Sequence, residues 1–236
     1  MAGSSLRCTD CGLQNICFPP AFDDSALNRI SEVIGQPPLL SKGQALYQIG
    51  EAHHAIYAIR SGSIKTSIIQ HDGSELITGF YQPGEVVGLE NLGHAVCTSR
   101  AEALEKTSLC VLPTGQLTSL SRQLPELQQH IFNLMSTEIR ADHQRLHLIG
   151  ARSVEARLAS FLYGWIQRLQ QRKLAGSSFR LPMARVDLAN HLGVAVETVS
   201  RSFSRLEQLG ILQVSGKAVH IQDSTQLLLM ANAQCA

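Results

Sequence analysis

MARVDLANHLGVAVETVSRSFSRLEQLGIL, residues 183–212, is the stretch on which the reading of this chain turns. It contains a short helical pattern, a Gly-bearing turn from His191 to Ala195, and a second amphipathic pattern from Val196 to about Leu209. Leu188, Leu192, Val194, Val199, Phe203 and Leu206 fall where a helix-turn-helix needs apolar residues, and Ala189 is small enough for the two helices to cross closely. Residues near the start of the second helix of such a motif reach base edges, and here these are Glu197, Thr198, Ser200, Arg201 and Arg205. Arg201 can donate two parallel bonds to guanine, Glu197 can accept from cytosine, and Ser200 can serve base or phosphate, whereas Arg205 and Arg185 are better placed for phosphate. Phosphate alone would repel Glu197, so its presence favours sequence-specific reading. A tri-helical bundle used for protein contacts is the other reading of the same pattern. Ala195 is a weak choice where Ser or Thr would cap the second helix. Next, ILQVSGKAVHIQD gives two alternating runs around Ser215-Gly216-Lys217, a wing-like hairpin with Lys217 at its tip beside any bound phosphate backbone.

Working back from the motif, LAGSSFRLP (174–182) reads as a loop and SVEARLASFLYGWIQRLQQRK (153–173) as a helix with Trp165 in its core face. Before it, Phe132, Met135, Ile139, Asp142, Leu146 and Ile149 advance by 3, 4, 3, 4 and 3, one stripe of a long helix and a coiled-coil-like seam. Leu127, Ile131 and Leu134 form a second face that can pack on the preceding domain. Asp142 is the anomaly. It either turns to solvent or meets Arg145, or it faces its twin across a symmetric pairing, where like charges oppose association and make the dimer switchable.

From Leu39 to Pro113 the texture is all-β, with short runs rich in Ile, Val, Tyr and Thr punctuated by glycines, and His71-Asp72-Gly73 between SIKTSIIQ and SELITGFYQ is a hairpin signal. A short helix over residues 25–34, capped by Asp24 or Ser25, precedes it. Of six cysteines, Cys8, Cys11 and Cys17 are packed into ten residues, while Cys97, Cys110 and Cys235 are scattered. In a reducing compartment such a cluster binds metal rather than forming disulfides, and the spacing alone leaves zinc and iron–sulfur both open.

Composition agrees with this division. The net charge of +1 hides 10 Lys/Arg against 14 Asp/Glu up to Ala151, then 10 against 5 from Arg152 onward. An acidic front and a basic back suit a sensing module joined to a nucleic-acid reader. No run of 18 apolar residues exists, and MAGSSLRCTDC has one Arg and no apolar core, so neither a membrane span nor a signal peptide is expected and the location expected is cytoplasmic. There is no G-x-G-x-x-G loop and no Ser/His/Asp constellation, and the nine His are dispersed, so an enzyme is not expected.

CTDCGLQNIC (8–17), AIRSGSIKTS (58–67) with ITGF (77–80), and HLGVAVETVSR (191–201) together resemble the Crp/Fnr superfamily of bacterial transcription regulators from about Ala21 to the end. The cysteine cluster brings the resemblance to the FNR and Anr oxygen-responsive branch. It implies an α+β chain: a cysteine-rich cluster-binding segment (1–20), a jelly-roll-like sensory β-domain of the cyclic-nucleotide-binding type (21–124), a dimerisation helix (125–151) and a winged helix-turn-helix DNA-binding domain (152–236). FNR-like proteins hold an oxygen-labile [4Fe-4S] cluster on four thiolates. The first three fall on Cys8, Cys11 and Cys17, and aligning EALEKTSLCVLP puts Cys110 in the fourth place, with Cys97 an extra thiol. The resemblance also implies a homodimer on inverted repeats like TTGAT and ATCAA, read through Glu197, Ser200 and Arg201. It matches Asp142 to an Asp that keeps the cluster-free protein monomeric. RNA polymerase is an implied partner, but Ser74 stands where FNR-like proteins place an acidic contact residue, with Asp72 before the Gly. Cyclic-nucleotide receptors of the superfamily use a Glu and an Arg-Ser pair; Leu89, Cys97 and Thr98 occupy those places here, with Arg100 nearby, so no cyclic nucleotide is expected. The expected function is oxygen-responsive transcription regulation, a zinc-binding or nitric-oxide-responsive regulator being the alternative.

Overall fold

The glycine-punctuated runs form seven strands: β1 (Ala45–Tyr47), β2 (Ala55–Ser61), β3 (Ile64–Ile69), β4 (Glu75–Tyr81), β5 (Val86–Val87), β6 (Arg100–Ala103) and β7 (Ser108–Pro113). The computed structural model describes residues 7–18, 21–151, 153–174 and 176–232, with the side chains of 144–151 outside the description. It divides into two units, Met1–Ile139 and Arg140–Ala236.

In the first unit the strands make two antiparallel sheets, β1-β6-β3-β4 and β5-β2-β7. Ile59, Ile64, Val87, Ala101, Ala103 and Leu109 come from both sheets and fill one core between them, giving the jelly-roll-like domain. Gly62 joins β2 to β3 at φ +84°, and a Cβ there would stand 2.6 Å from the Lys106 carbonyl oxygen, so only glycine fits. The β3–β4 hairpin closes at Asp72-Gly73 as its sequence predicts, with Asp72 Oδ1 accepting from the Ser74 N–H at 2.9 Å.

The outer face of β5-β2-β7 is covered by helices. A 3-10 turn (Cys8–Asp10) and the one-turn α1 (Gln14–Cys17) lead to α2 (Asp24–Val33), and the strands are followed by α3 (Thr114–Gln123) and α4 (Pro125–Ala151). Ile56 of β2 meets Leu27, Ile30, Leu117, Leu120 and Leu127 in this second core. The cap of α2 corrects the sequence expectation of Asp24 or Ser25: Asp23 Oδ1 accepts from the Ala26 N–H at 2.7 Å, so the helix starts one residue earlier. Pro125, lacking an N–H, separates α3 from α4 and serves as the first residue of the new helix. Leu127, Ile131 and Leu134 pack inward as their periodicity suggested.

The second unit holds α5 (Val154–Gln171), β8 (Ser178–Arg180), α6 (Arg185–Leu192), α7 (Val196–Gln208), β9 (Leu212–Ser215), β10 (Ala218–Ile221) and α8 (Ser224–Asn232). Leu158, Leu162, Trp165, Leu188, Val199, Phe203 and Leu206 are buried together with Ile211 and Leu227. Two elements were not anticipated. Residues 174–182 are not wholly loop, because Phe179 pairs with Val219 and β8 covers the edge that the wing would otherwise expose. Asp223 caps α8 by accepting from the Gln226 N–H at 2.9 Å, and Ser160 Oγ donates to the Ala231 carbonyl at 2.9 Å, tying α8 to α5. No helix among the described residues is long and apolar enough to cross a membrane.

Candidate functional site

Strand alternation decides what β2 and β7 show to the helices. Ile59 and Leu109 point into the sandwich, so their neighbours Ala58 and Cys110, paired across β2 and β7, point out of it. There they meet the N-terminal segment, which is pinned at three places. The Cys8 N–H donates to Ser31 Oγ at 2.8 Å, and that hydroxyl donates to the Leu27 carbonyl at 2.7 Å. Ile16 lies against Gly84, where a Cβ would come within 2.5 Å of it. His130 of α4 donates from Nε2 to the Cys17 carbonyl at 2.8 Å.

The result is one cavity of about 90 Å³ lined by Cys8, Cys11, Cys17 and Cys110, with Arg7, Arg60 and His130 among its walls and no carboxylate. Burial pushes the Cys17 thiol up to about 12, and repulsion from Cys11, Cys110 and Cys8 adds to the rise. Burial likewise takes Cys110 up to about 11, while the Arg60 guanidinium pulls the other way. Cys8 is raised by burial, with its bond to Ser31 opposing. In the metal-free chain these thiols therefore hold their protons, which a bound metal would have to displace. Cys97 faces elsewhere, in the core between the sheets. Cys235 lies outside the described residues.

The donor set fits an iron–sulfur cluster. Four thiols with no carboxylate are the ligands such clusters take. Among the described residues no three His, Cys, Asp or Glu side chains stand close enough to hold a metal ion. A structural zinc takes the same four thiolates, so the donor set admits either group.

Sequence reasoning missed Arg60 and His130. The β2–β7 register breaks between Ile59 and Ser61, leaving Arg60 in an irregularity of the kind that re-aims a side chain. No periodicity announces it. His130 stands beside Leu127 and Leu134 on the inward side of α4, where a reading of apolar spacing passes over a histidine.

In the second unit Gly193, at φ +68°, ends α6 and sets the turn into α7. Glu197, Ser200, Arg201 and Arg205 are exposed on α7 opposite buried Val199, Phe203 and Leu206, and Thr198 is half-buried. As expected, Ala195 provides no side-chain cap. Ser200 Oγ donates to the Val196 carbonyl at 3.1 Å and Arg201 Nε to the Glu197 carbonyl at 3.4 Å, both on the exposed face. Arg185 stacks on Phe203, its guanidinium carbon 3.5 Å from the ring centre. Lys217 is in the turn between β9 and β10, where its Nζ donates to the Pro182 carbonyl. Ser202, also unanticipated, seats α7 on α5 by donating to Glu155 Oε1 at 3.2 Å.

On α4, Phe132 and Ile139 are 56% and 53% exposed, Met135 is half-buried and Asp142 is exposed. The side chains of Leu146 and Ile149 lie outside the described residues. Of the residues compared with cyclic-nucleotide receptors, Leu89 and Cys97 are buried, Thr98 Oγ1 donates to Asn91 Oδ1 at 2.9 Å, and Arg100 pairs with Glu102 at 2.5 Å. Glu90 accepts from Tyr47 at 3.0 Å and from Ser99 at 2.5 Å.

Residues 156–230 match the Crp-like helix-turn-helix domain and residues 39–123 the cyclic nucleotide-binding domain. The chain is 39% identical over 228 residues to the transcriptional activator protein anr of Pseudomonas aeruginosa, covering 97% of this chain and 93% of that one. It is 37% identical over 229 residues to the fumarate and nitrate reduction regulatory protein of Salmonella typhimurium, covering 97% and 92%. Among solved structures, FixK2 from Bradyrhizobium japonicum matches with a TM-score of 0.77 and 26% identity over 86% of this chain and 100% of that one. These relatives are transcription regulators, not enzymes.

Proposed function

The chain belongs to the Crp/Fnr family of transcription regulators, on its FNR/Anr-like branch, and we propose that it is an oxygen-responsive regulator in which a [4Fe-4S] cluster on Cys8, Cys11, Cys17 and Cys110 controls dimerisation and the reading of inverted-repeat DNA. The observation that carries the proposal is the meeting of three thiols from the N-terminal segment with one from β7 in a single cavity. The names of the relatives, including an anaerobic regulatory protein of Pasteurella multocida, support oxygen supply as the signal.

When bound, the cluster supplies oxygen lability, so that the hold on its four thiolates depends on the surrounding gas. The protein supplies the rest. Cys8, Cys11 and Cys17 tie residues 8–17 to β7, and the same segment touches α4 through Cys17 and His130. That contact steadies the helix whose outer face carries Phe132, Met135 and Ile139. A second copy would cover this face, at the cost of bringing two Asp142 carboxylates together. Pairing sets two α7 helices into successive major grooves about one helical turn, ~34 Å, apart. Glu197, Ser200 and Arg201 then read bases, with Thr198 beside them, and Arg185, Arg205 and Lys217 hold phosphate. RNA polymerase is the partner for activation, and promoters that need an acidic contact where Ser74 stands in the β3–β4 hairpin are not activated through it. A cyclic nucleotide is not the effector in this reading, because Leu89 stands where the superfamily's receptors carry their Glu, and Cys97 and Thr98 where they carry their Arg-Ser pair. The protein works in the cytoplasm, on chromosomal DNA.

Only a few kcal/mol of difference between the loaded and metal-free chains is needed to move such an equilibrium. Sedimentation and DNA binding under nitrogen and after exposure to air test the proposal. Dimers that bind an inverted repeat under nitrogen and become monomers without affinity in air are expected; the same dimer constant in both gases would contradict it.

A further inference from the structure

We infer that His130 is the positioning residue that couples the loading of the cysteine site to the dimer face of α4, through its bond to the Cys17 carbonyl. The inference rests on the function proposed above. Cys17 is both a thiol of the cavity and the last residue of α1, and its carbonyl accepts from His130 Nε2 at 2.8 Å. A carbonyl accepts only, so the Nε2 carries the proton. The imidazole is flanked by Phe18 and Phe22, with ring centres 6.0 and 5.7 Å away, so it cannot seek another partner without leaving its aromatic neighbours.

His130 also begins a row on α4. His130, Leu134 and Glu138 recur every four residues along one side of the helix, and Glu138 accepts from the Tyr81 hydroxyl of β4. The helix is thus held at two polar points, the far one on the fixed sheet and the near one on the cysteine segment. Phe132, Met135 and Ile139 lie on the opposite side of the same rigid helix, within about 14 Å of His130 along its axis. Any roll of α4 that follows the cysteine segment therefore moves the dimer face too. With the thiols bound, the Cys17 carbonyl is fixed under His130. With the thiols released the segment is held by less, and its departure strands a half-buried donor, an unfavourable state that α4 relieves by shifting.

The test compares the full-length parent with His130→Leu, which keeps bulk and loses the donor, and His130→Gln, whose side-chain amide can donate to the same carbonyl. Iron per chain and the dimer dissociation constant are measured for anaerobically loaded and for metal-free protein, with a thermal melt of each. The expected result is unchanged iron content in all three. The loaded-to-metal-free ratio of dimer constants should be weakened about tenfold in His130→Leu and largely recovered in His130→Gln. A ratio in His130→Leu equal to the parent's overturns the inference. So does a His130→Leu chain that melts like the parent but takes up no iron, since His130 would then build the site rather than transmit its state. So does a His130→Gln chain that melts like the parent and behaves like His130→Leu. If the parent itself takes up no iron or never dimerises, the functional reading falls and takes the inference with it, and the failure is distinguishable because it shows in the parent.

Discussion

Gly84 and Gly93 offer a matched pair of perturbations at the cysteine segment. Both hold a positive φ, +88° and +89°, so alanine at either position costs about 1–2 kcal/mol for the left-handed backbone. The surroundings differ. A Cβ at position 93 meets nothing within 4 Å, whereas one at position 84 would stand 2.5 Å from Ile16 Cγ2 and 3.3 Å from Ile16 Cβ. Ile16 lies in α1 between two of the cysteines, and its Cβ is fixed to the backbone, so a rotamer change relieves only part of the conflict. The segment itself must lift. Overpacking of this kind costs about 1–3 kcal/mol, which raises the population of the undocked segment roughly five- to 150-fold. In the metal-free chain, Gly84→Ala should therefore accelerate iodoacetamide labelling of Cys8, Cys11 and Cys17 by that factor, while Gly93→Ala leaves it near the parent rate. Both should lower the urea midpoint of the β-domain, Gly84→Ala by more, because the conflict with Ile16 adds to the shared backbone cost. Adding Ile16→Ala to Gly84→Ala should restore protection in part. Equal labelling of the two glycine variants would refute the idea that Ile16 against Gly84 docks the segment.

Asp142→Ala removes the charge repulsion between paired helices, about 1–4 kcal/mol at close approach, and should give a dimer that persists in air by sedimentation; a variant that dissociates in air like the parent would remove Asp142 from the account. Arg201→Ala should cost about 1–3 kcal/mol on an inverted repeat and almost nothing on unrelated DNA, as read by titration on both. Arg185→Ala should weaken both DNAs alike and also lower the melting temperature of the second unit, because it unstacks the guanidinium from Phe203. The pH dependence follows from thiols whose folded values lie above the ordinary 9.0, near 12 for Cys17 and 11 for Cys110. Raised values mean that the folded metal-free chain prefers the protonated thiols, so their contribution is intact below pH 9 and is lost as the pH climbs through 9 toward 12. Urea midpoints of the metal-free chain should fall across that window, and Cys17→Ser should flatten the fall.

The reading helix was legible because its signals are local: apolar spacing, a glycine with positive φ, and exposed polar residues all lie within residues 183–212. The hairpin at Asp72-Gly73 and the inward face of α4 were legible for the same reason. The cysteine cavity was legible only in halves. The spacing of Cys8, Cys11 and Cys17 marks a ligand cluster, but what brings Cys110 to it is strand alternation on β7 together with three tethers, at Ser31, Gly84 and His130, that are far apart in sequence. Arg60 was hidden by an irregularity of register, which no alternating pattern reveals. Strand β8 was missed because three residues paired to a wing carry too little periodicity to stand apart from a loop. Asp23 took the cap from Asp24 because either acid suits the position and only backbone geometry chooses.

Iron and acid-labile sulfide in anaerobically purified protein, compared across the parent, Cys110→Ser and Cys97→Ser, test the central claim most directly. The account predicts four irons and four sulfides per chain in the parent, retained in Cys97→Ser, whose thiol lies between the sheets, and lost in Cys110→Ser, whose thiol lines the cavity. One zinc per chain in place of iron, or a cluster kept by Cys110→Ser and lost by Cys97→Ser, would contradict it.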